Sequence, residues 1–148
     1  MNGSAHYAHQ VDPIHQRGMG VHLQFIVRSM LVVAGVIHIL PLSGVLGAKH
    51  LERLYGVTFT DPNLIVMMRH RAILFALLGA FLLYAAFRPD LVSIAIVGGL
   101  ISAATFIWLA LAVGGYNGAI ARIIIADAIA VVCLLIAAIC QVLASPQS

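Results

Sequence analysis

Residues 91–113 read LVSIAIVGGLISAATFIWLALAV, a segment without a single charged side chain. A bilayer core of roughly 30 Å is crossed by about 20 helical residues, so this segment alone is long enough to span a membrane. The whole chain has the same character, with 62% hydrophobic and only 9% charged residues. Globular domains carry about a quarter charged residues. The composition therefore indicates an integral membrane protein.

Three further apolar blocks of membrane length flank this segment, at residues 24–46, 66–87 and 120–143. The connections between the blocks are short, and short connections make consecutive helices antiparallel neighbours. The sequence therefore predicts an all-α membrane protein, a bundle of four transmembrane helices that run alternately up and down.

We expect a single transmembrane domain over residues 21–145, preceded by a mobile polar tail at residues 1–20 and followed by a short tail at 146–148. Four alternating spans place both ends of this domain on one side of the membrane. The eight Lys and Arg residues are scattered between the apolar blocks rather than grouped on one face. This distribution predicts flanking charges beside a lipid bilayer and no nucleic-acid partner.

The connections carry recognisable helix-end signals. Gly56 is placed to end a short interfacial helix, because glycine is favoured at a helix C-terminus, and the β-prone residues 57–60 then predict an extended segment. Asp61 and Pro62 are typical of an N-cap followed by the first helical residue. Residues 114–118, GGYNG, predict a tight turn between the last two spans.

Small residues recur at helical spacing within three of the spans. In lipid, helices associate through close packing at such residues. We therefore expect helix contacts along three stripes: Ala72, Ala76 and Ala80; Gly99 and Ala103; Ala126 and Ala130.

Alternating spans bring nearly all the polar residues of the membrane domain to one side. Lys49 and His50 belong to this side, where we expect a polar cluster that binds a ligand or fixes the helices. Its candidate residues are His38, Glu52, Arg53, Asp61, Arg69, His70, Arg71, Tyr116, Asn117, Arg122 and Asp127. No catalytic residue is assigned among them.

Asp127 is the most informative residue of this cluster, because a carboxylate inside a span needs a partner or a proton. Arg122 lies roughly 7 Å away along the helix axis and is poorly placed on the helix face. Arg69 or Arg71 could reach Asp127 across the bundle. The pair would either fix helix packing or serve in transport or catalysis.

His38 lies within the first span, where a neutral imidazole needs a hydrogen-bond partner. A structural role is one interpretation, and a haem or metal site shared with His70 is the alternative. We expect no metal and no cofactor otherwise. Cys133 and Cys140 are too far apart along one helix to bond to each other and do not form a Cys-x-x-Cys motif.

Several short motifs resemble those of bacterial inner-membrane proteins of the DoxX-like kind, and the resemblance covers residues 27–143. It implies a four-helix, multi-pass protein of the cell inner membrane. Some similar sequences carry the name phosphopantetheine adenylyltransferase, but the His-x-Gly-His motif of that soluble α/β enzyme is absent here. The motifs are His38-Ile-Leu-Pro41, Leu54-Tyr-Gly-Val57, Asp61-Pro-Asn63, Arg69-His-Arg71, Gly114-Gly-Tyr-Asn117 and Asp127.

These observations favour a binding or accessory protein whose polar cluster holds a lipid-like ligand or a partner subunit, in a chain that could also form homo-oligomers. An anionic lipid headgroup would suit Arg69, Arg71 and Arg122. One alternative is a small transporter that uses Asp127. The other is an enzyme, either the named transferase or a haem or quinone redox protein.

Overall fold

The computed structural model describes residues 13–144, and this part of the chain consists of helices and connections without a β-strand. The first helix begins at Pro13, so residues 13–20 are helical where a tail was expected. Proline is favoured in the first helical turn, and a helix extends readily from an existing span. The rest of the tail predicted at residues 1–20, and the one predicted at 146–148, lie outside the described residues.

Five α-helices and two short 3₁₀ segments make up the described part of the chain. In order they are α1 (Pro13–Ile39), a 3₁₀ segment (Leu40–Leu46), α2 (Ala48–Tyr55), α3 (Pro62–Ala85), a 3₁₀ turn (Pro89–Leu91), α4 (Val92–Val113) and α5 (Gly118–Ala144).

Four of these helical stretches are long and apolar enough to cross a membrane. They cover residues 20–46, 62–85, 89–113 and 118–144. The predicted all-α bundle of four membrane helices is thereby confirmed, and the protein is a small multi-pass membrane protein. The remaining helix, α2, is short and connects the first two spans.

The first span changes character near Pro41, where the α-helix becomes a 3₁₀ helix. Proline has no N–H to donate and its ring clashes with the preceding turn, which breaks an α-helix. A 3₁₀ helix absorbs this disruption over a short distance. At the end of the segment the chain turns back, and Gly44 lies so close to α2 that an added Cβ would be 2.8 Å from the Leu51 side chain.

The predicted helix ends are confirmed. Gly56 ends α2 in the left-handed conformation, with φ +65°. The Asp61 side chain caps α3 by accepting a hydrogen bond from the backbone N–H of Asn63 at 2.8 Å, and Pro62 is the first helical residue. Gly114 and Gly115 both have positive φ, which lets the chain turn sharply between α4 and α5.

Helix α1 lies between α3 and α5, whereas α4 packs closely on α5 and only loosely on α3. The closest approach of α1 and α3 is at two glycines, since a Cβ on Gly79 would stand 2.7 Å from the backbone oxygen of Gly35. The predicted alanine stripe on α3 is therefore only partly correct. Ala72 is fully buried, but Ala80 is exposed, and Gly79 makes the close contact.

The stripe on α4 lies at a helix contact, as expected, whereas on α5 this holds for Ala130 and Ala126 is only half-buried. A Cβ on Gly99 would be 2.7 Å from the Leu134 side chain, and Ala103 and Ala130 are fully buried. These residues belong to one apolar core, which also includes Leu31 and other side chains from all four spans.

The two ends of the bundle differ in chemistry. One end carries a cavity of about 220 Å³ lined by Arg28 of α1, Ala86 after α3, Val92 of α4 and Gln141 of α5. The helix ends found together there are those expected from alternating spans. We call the opposite end the polar end. It comprises the first 3₁₀ segment, α2, the start of α3, the end of α4 and the start of α5.

Candidate functional site

Helix α2 covers the polar end with one apolar face. Leu51 and Tyr55 of α2, together with Phe59, form a small buried cluster separate from the main core. Side chains of α3 and α5, among them Met68 and Ile123, pack against this cluster. Burial of apolar surface thus holds α2 against the start of both helices, and places Tyr55 inside the polar end.

Asn117 links α2 to α5 through both ends of its amide. Its Nδ2 donates to the backbone oxygens of Tyr55 at 2.9 Å and Gly56 at 3.3 Å. Its Oδ1 accepts from the backbone N–H groups of Ala119 and Ile120, each at 3.0 Å. Asn117 is therefore the N-cap of α5 and also holds the carboxyl end of α2.

The guanidinium of Arg71 lies among three aromatic rings. Its Cζ is 5.0 Å from the ring centre of Phe106, 5.1 Å from that of Phe75 and 5.9 Å from that of Tyr55. These rings come from α4, α3 and α2, so three elements position one half-buried cation. Attraction between a cation and an aromatic face is worth about 0.5–2 kcal/mol at such distances.

Arg71 also lies on a groove between α3 and α4, which exists because these two helices pack loosely. The groove has a volume of about 640 Å³. The turn before α5 contributes Tyr116, and α4 contributes Ser102 and Thr105. The Thr105 hydroxyl donates to the backbone oxygen of Ile101 at 2.6 Å. The full lining of the groove is Arg71, Phe75, Ser102, Thr105, Phe106, Leu109, Ala110, Val113, Gly114, Gly115, Tyr116 and Ile120.

Asp127 is buried on α5, and no donor within residues 20–144 bonds to it directly. It is 8% exposed, and among residues 20–144 no side chain forms an ion pair with it within 4 Å or donates a hydrogen bond to it. The positive charge of Arg71 attracts the Asp127 carboxylate without a direct contact. Of the two arginines predicted to reach across the bundle, the structure thus brings Arg71 into electrostatic range, whereas Arg69 is exposed.

A second cavity, which we call the α5 cleft, has Asp127 on its wall. It has a volume of about 250 Å³ and is formed by the end of the first span, α2 and α5. Its charged residues are Arg53, Arg122 and Asp127. Its full lining is Ile37, Leu40, Pro41, Arg53, Leu54, Tyr55, Ala119, Arg122, Ile123, Ala126 and Asp127.

Tyr55 connects the two arginine-containing regions, since its ring faces Arg71 and its side chain also lines the α5 cleft. Burial raises the pKa of the Tyr55 phenol above its ordinary value of 10.0, the Arg71 charge lowers it, and the Asp127 charge raises it. Burial is the largest effect. Tyr55 therefore stays a neutral hydroxyl at physiological pH.

His38 is almost completely buried, at 2% exposed. Its Nδ1 donates to the backbone oxygen of Ala34 at 2.8 Å, which leaves Nε2 as an acceptor. Nε2 is buried and has no hydrogen-bond partner in the part of the chain described. The imidazole lies beside the Phe75 ring, with 6.2 Å between ring centres.

The haem or metal alternative required His38 and His70 to act together. His70 is exposed, and it lies about 100° around α3 from Arg71, which points into the bundle. Within residues 13–144 no group of three or more His, Cys, Asp or Glu side chains is arranged to hold a metal ion. The haem site stays a prediction based on the sequence.

The remaining candidates lie near the surface of the polar end. Asp61 caps α3, and Lys49 is exposed, whereas His50 and Glu52 are half-buried. The structure therefore divides the predicted cluster. The groove is lined by Arg71 and Tyr116, and the α5 cleft by Arg53, Arg122 and Asp127. Asn117 has a structural role. Neither cavity is lined by the other candidates, which are Arg69, His70, Asp61, Lys49, His50 and Glu52.

Sequence reasoning missed the aromatic residues around Arg71. Phe75 follows Arg71 by one helical turn, a spacing at which side chains meet on a helix. That signal was available in the sequence. Phe106 was not identifiable in this way, because its contact depends on how α4 packs beside α3.

Fold and site together define a small multi-pass membrane protein with two cavities at one end, each containing arginine. Comparisons with models of protein families, with curated proteins and with solved structures found no match.

Proposed function

We propose that this is a membrane-embedded binding protein that holds a lipid-like amphiphile with an anionic group in the groove between α3 and α4. The observation that carries the proposal is the position of Arg71. Within the described part of the chain, Arg71 is the one arginine on this groove, whose other lining residues are aromatic, aliphatic, glycine or small polar residues.

Arg71 is suited to bind an anion because its side chain is held in place while its N–H groups remain free. The three surrounding rings fix the guanidinium. Within residues 20–144 the Arg71 N–H groups donate no hydrogen bond and form no ion pair within 4 Å. A guanidinium binds phosphate or carboxylate through two parallel hydrogen bonds, and a fixed one loses little entropy in doing so.

The rest of the groove is mostly apolar, as a site for an amphiphile requires. Leu109, Ala110 and Val113 line it along α4 between the level of Arg71 and the polar end, where Tyr116 also belongs to the lining. Binding sites for small molecules are mostly apolar with a few placed polar groups. Of the three arginines expected to hold the anion, only Arg71 lines this groove.

The resemblance to DoxX-like proteins supports placing this binding protein in the bacterial inner membrane. Several motif residues have structural roles at the polar end, including Tyr55, Gly56, Asp61 and Asn117. A partner subunit or a second copy of the chain is a further part of the proposal, and either lipid or such a partner would cover the apolar outer faces of the spans.

The proposal is tested by measuring bound anionic lipid after substituting Arg71. Native mass spectrometry of the purified protein with phosphatidylglycerol should show about tenfold weaker retention of the lipid in Arg71→Gln, because a hydrogen-bonded charge pair is lost. Arg69→Gln is the matched control, since it removes an exposed arginine from the same helix, outside the groove.

Equal retention by the wild type, Arg71→Gln and Arg69→Gln would overturn the proposal. Loss of lipid only in Arg71→Gln, with an unchanged thermal unfolding midpoint, would support it. An equal loss in both variants would point to a general effect of surface charge and would count against a specific site.

A further inference from the structure

The α5 cleft differs from the groove because it contains a carboxylate as well as arginines. Asp127 lies on its wall, is 8% exposed, and receives no hydrogen bond from any of residues 20–144. Arg71 acts on Asp127 only from beyond 4 Å. A buried ionised carboxylate without a direct partner is costly inside a membrane. The cleft therefore offers an unused acceptor.

The charges of the α5 cleft are arranged by depth. Ala119, Arg122, Ile123, Ala126 and Asp127 all line the cleft from α5. Arg122 and Asp127 stand at opposite edges of this strip, about 140° apart around the helix. Asp127 lies roughly 7 Å further into the bundle than Arg122. Arg122 is exposed, as is the second arginine of the cleft, Arg53. The negative group is thus deep, and the two positive groups are at the mouth.

This order of charges excludes a simple anion as the best occupant. An anion that reached the deep part would be repelled by Asp127, and a simple cation would leave the two arginines unpaired. A ligand that fits must present hydrogen-bond donors and positive charge at the deep end and an anionic group at the mouth.

We propose that the α5 cleft binds a zwitterionic group of the phosphoethanolamine type, with its primary ammonium on Asp127 and its phosphate between Arg53 and Arg122. The group is small enough for a cleft of about 250 Å³. It is carried by phosphatidylethanolamine in a membrane or exists as a free phosphate monoester. The site is separate from the groove and does not depend on the function proposed for it.

The ammonium chemistry determines the expected selectivity. A primary ammonium has three N–H donors, as a lysine side chain does, and can hydrogen-bond directly to a carboxylate. A quaternary ammonium such as that of choline has no N–H and is bulkier. The cleft should therefore prefer phosphoethanolamine headgroups to phosphocholine headgroups of the same net charge.

The experiment measures retention of dioleoyl phosphatidylethanolamine and dioleoyl phosphatidylcholine by the full chain, using native mass spectrometry after mixing with equal amounts of both lipids. The wild type should retain the ethanolamine lipid about tenfold better. Asp127→Asn should abolish this preference. Glu52→Gln is the matched control, because it neutralises a half-buried acidic residue of the polar end that does not line the cleft.

A second variant addresses the mouth of the cleft without changing the buried interior. Replacing both exposed arginines, in Arg53→Gln with Arg122→Gln, should weaken retention of both lipids by removing the phosphate contacts. A parallel titration with free phosphoethanolamine in a non-ionic detergent distinguishes the two sources. Binding of the free compound and of the lipid indicates a headgroup site, and binding of the lipid alone indicates that the acyl chains contribute.

The proposal is overturned if the wild type retains both lipids equally and free phosphoethanolamine does not bind, or if Asp127→Asn keeps the wild-type preference. Failure of the groove proposal is recognised separately. It appears as unchanged phosphatidylglycerol retention in Arg71→Gln. This variant changes no lining residue of the α5 cleft and acts on the cleft only by removing a positive charge near Asp127.

Discussion

Asn117 combines two tasks that most residues perform singly. Its Oδ1 caps α5 and its Nδ2 holds the end of α2, so all four of its hydrogen bonds go to backbone groups. Gly56 makes this arrangement possible, because a Cβ there would approach the Asn117 amide to 3.1 Å and because φ at Gly56 is positive. The contact couples the cover of the polar end to the turn between α4 and α5.

Asn117→Ala should therefore destabilise the protein more than loss of a single helix cap. Loss of an N-cap alone costs about 0.5–2 kcal/mol, and the released carbonyls of Tyr55 and Gly56 add to that cost. Asp61→Ala is the control, since among residues 20–144 the Asp61 side chain accepts one hydrogen bond, which caps its own helix α3. Thermal unfolding in mild detergent checks both variants, and an equal loss of stability would contradict the double role.

Residue-level features were predictable where they depend on local chemistry. Gly56, Asp61 and Pro62 act on their own helix ends, and their roles followed from short-range preferences. Arg71 was selected as one of several basic residues, without a reason to prefer it to Arg69. The preference depends on which face of α3 meets the neighbouring helices, and the aromatic side chains that decide it come from other elements.

Among the helical elements, α1 and α3 cross with their backbones in direct contact. Gly79 and Gly35 let the two backbones meet, because a Cβ on Gly79 would lie 2.7 Å from the oxygen of Gly35 and 2.7 Å from the Ile39 side chain. In lipid, such close approach supplies most of the attraction between helices. The alanines at four-residue spacing predicted a contact on α3, but the close contact is made by the glycine beside them.

Gly79→Ala should destabilise the bundle by about 1–3 kcal/mol, the usual cost of overpacking, because backbone rather than a flexible side chain blocks the added methyl. Gly98→Ala is the matched control, since the nearest atom to its Cβ would be 3.8 Å away. There alanine should be neutral or stabilising, as a better helix former than glycine. Unfolding midpoints in detergent measure both. The crossing would not be tight if the two variants behaved alike.

Helix length and boundaries were largely predictable, because they follow from the length of the apolar blocks and from proline and glycine. The change from α to 3₁₀ geometry was not expected, although Pro41 was recognised near the end of the span. A proline indicates where the hydrogen-bond pattern fails. It does not indicate whether the chain then bends, ends or tightens, because that depends on the packing of α2 against Gly44.

For the whole molecule, hydropathy and the short connections predicted the number of spans and their alternating direction. They did not predict which spans pack against each other. Helices α3 and α4 are consecutive, yet they pack loosely, and α1 lies between α3 and α5 instead. The groove results from that arrangement, whereas the α5 cleft is formed by the end of the first span, α2 and α5. The helix ends and connections that carry the predicted polar residues lie at one end of the bundle, but the sequence could not divide these residues between a groove and a cleft.

The topology itself makes a prediction for the intact protein in a membrane. Lys49 and Tyr116 are exposed at the polar end, and Arg88 is exposed at the other end. Single cysteines at these three positions, with Cys133 and Cys140 replaced by alanine, should react with a membrane-impermeant maleimide in two groups. Lys49→Cys and Tyr116→Cys should label from one side of sealed vesicles and Arg88→Cys from the other, because the positions are separated by one crossing of the bilayer. Labelling of Lys49→Cys and Tyr116→Cys from opposite sides would require an odd number of spans between them, and the groove and the α5 cleft would then not exist as described.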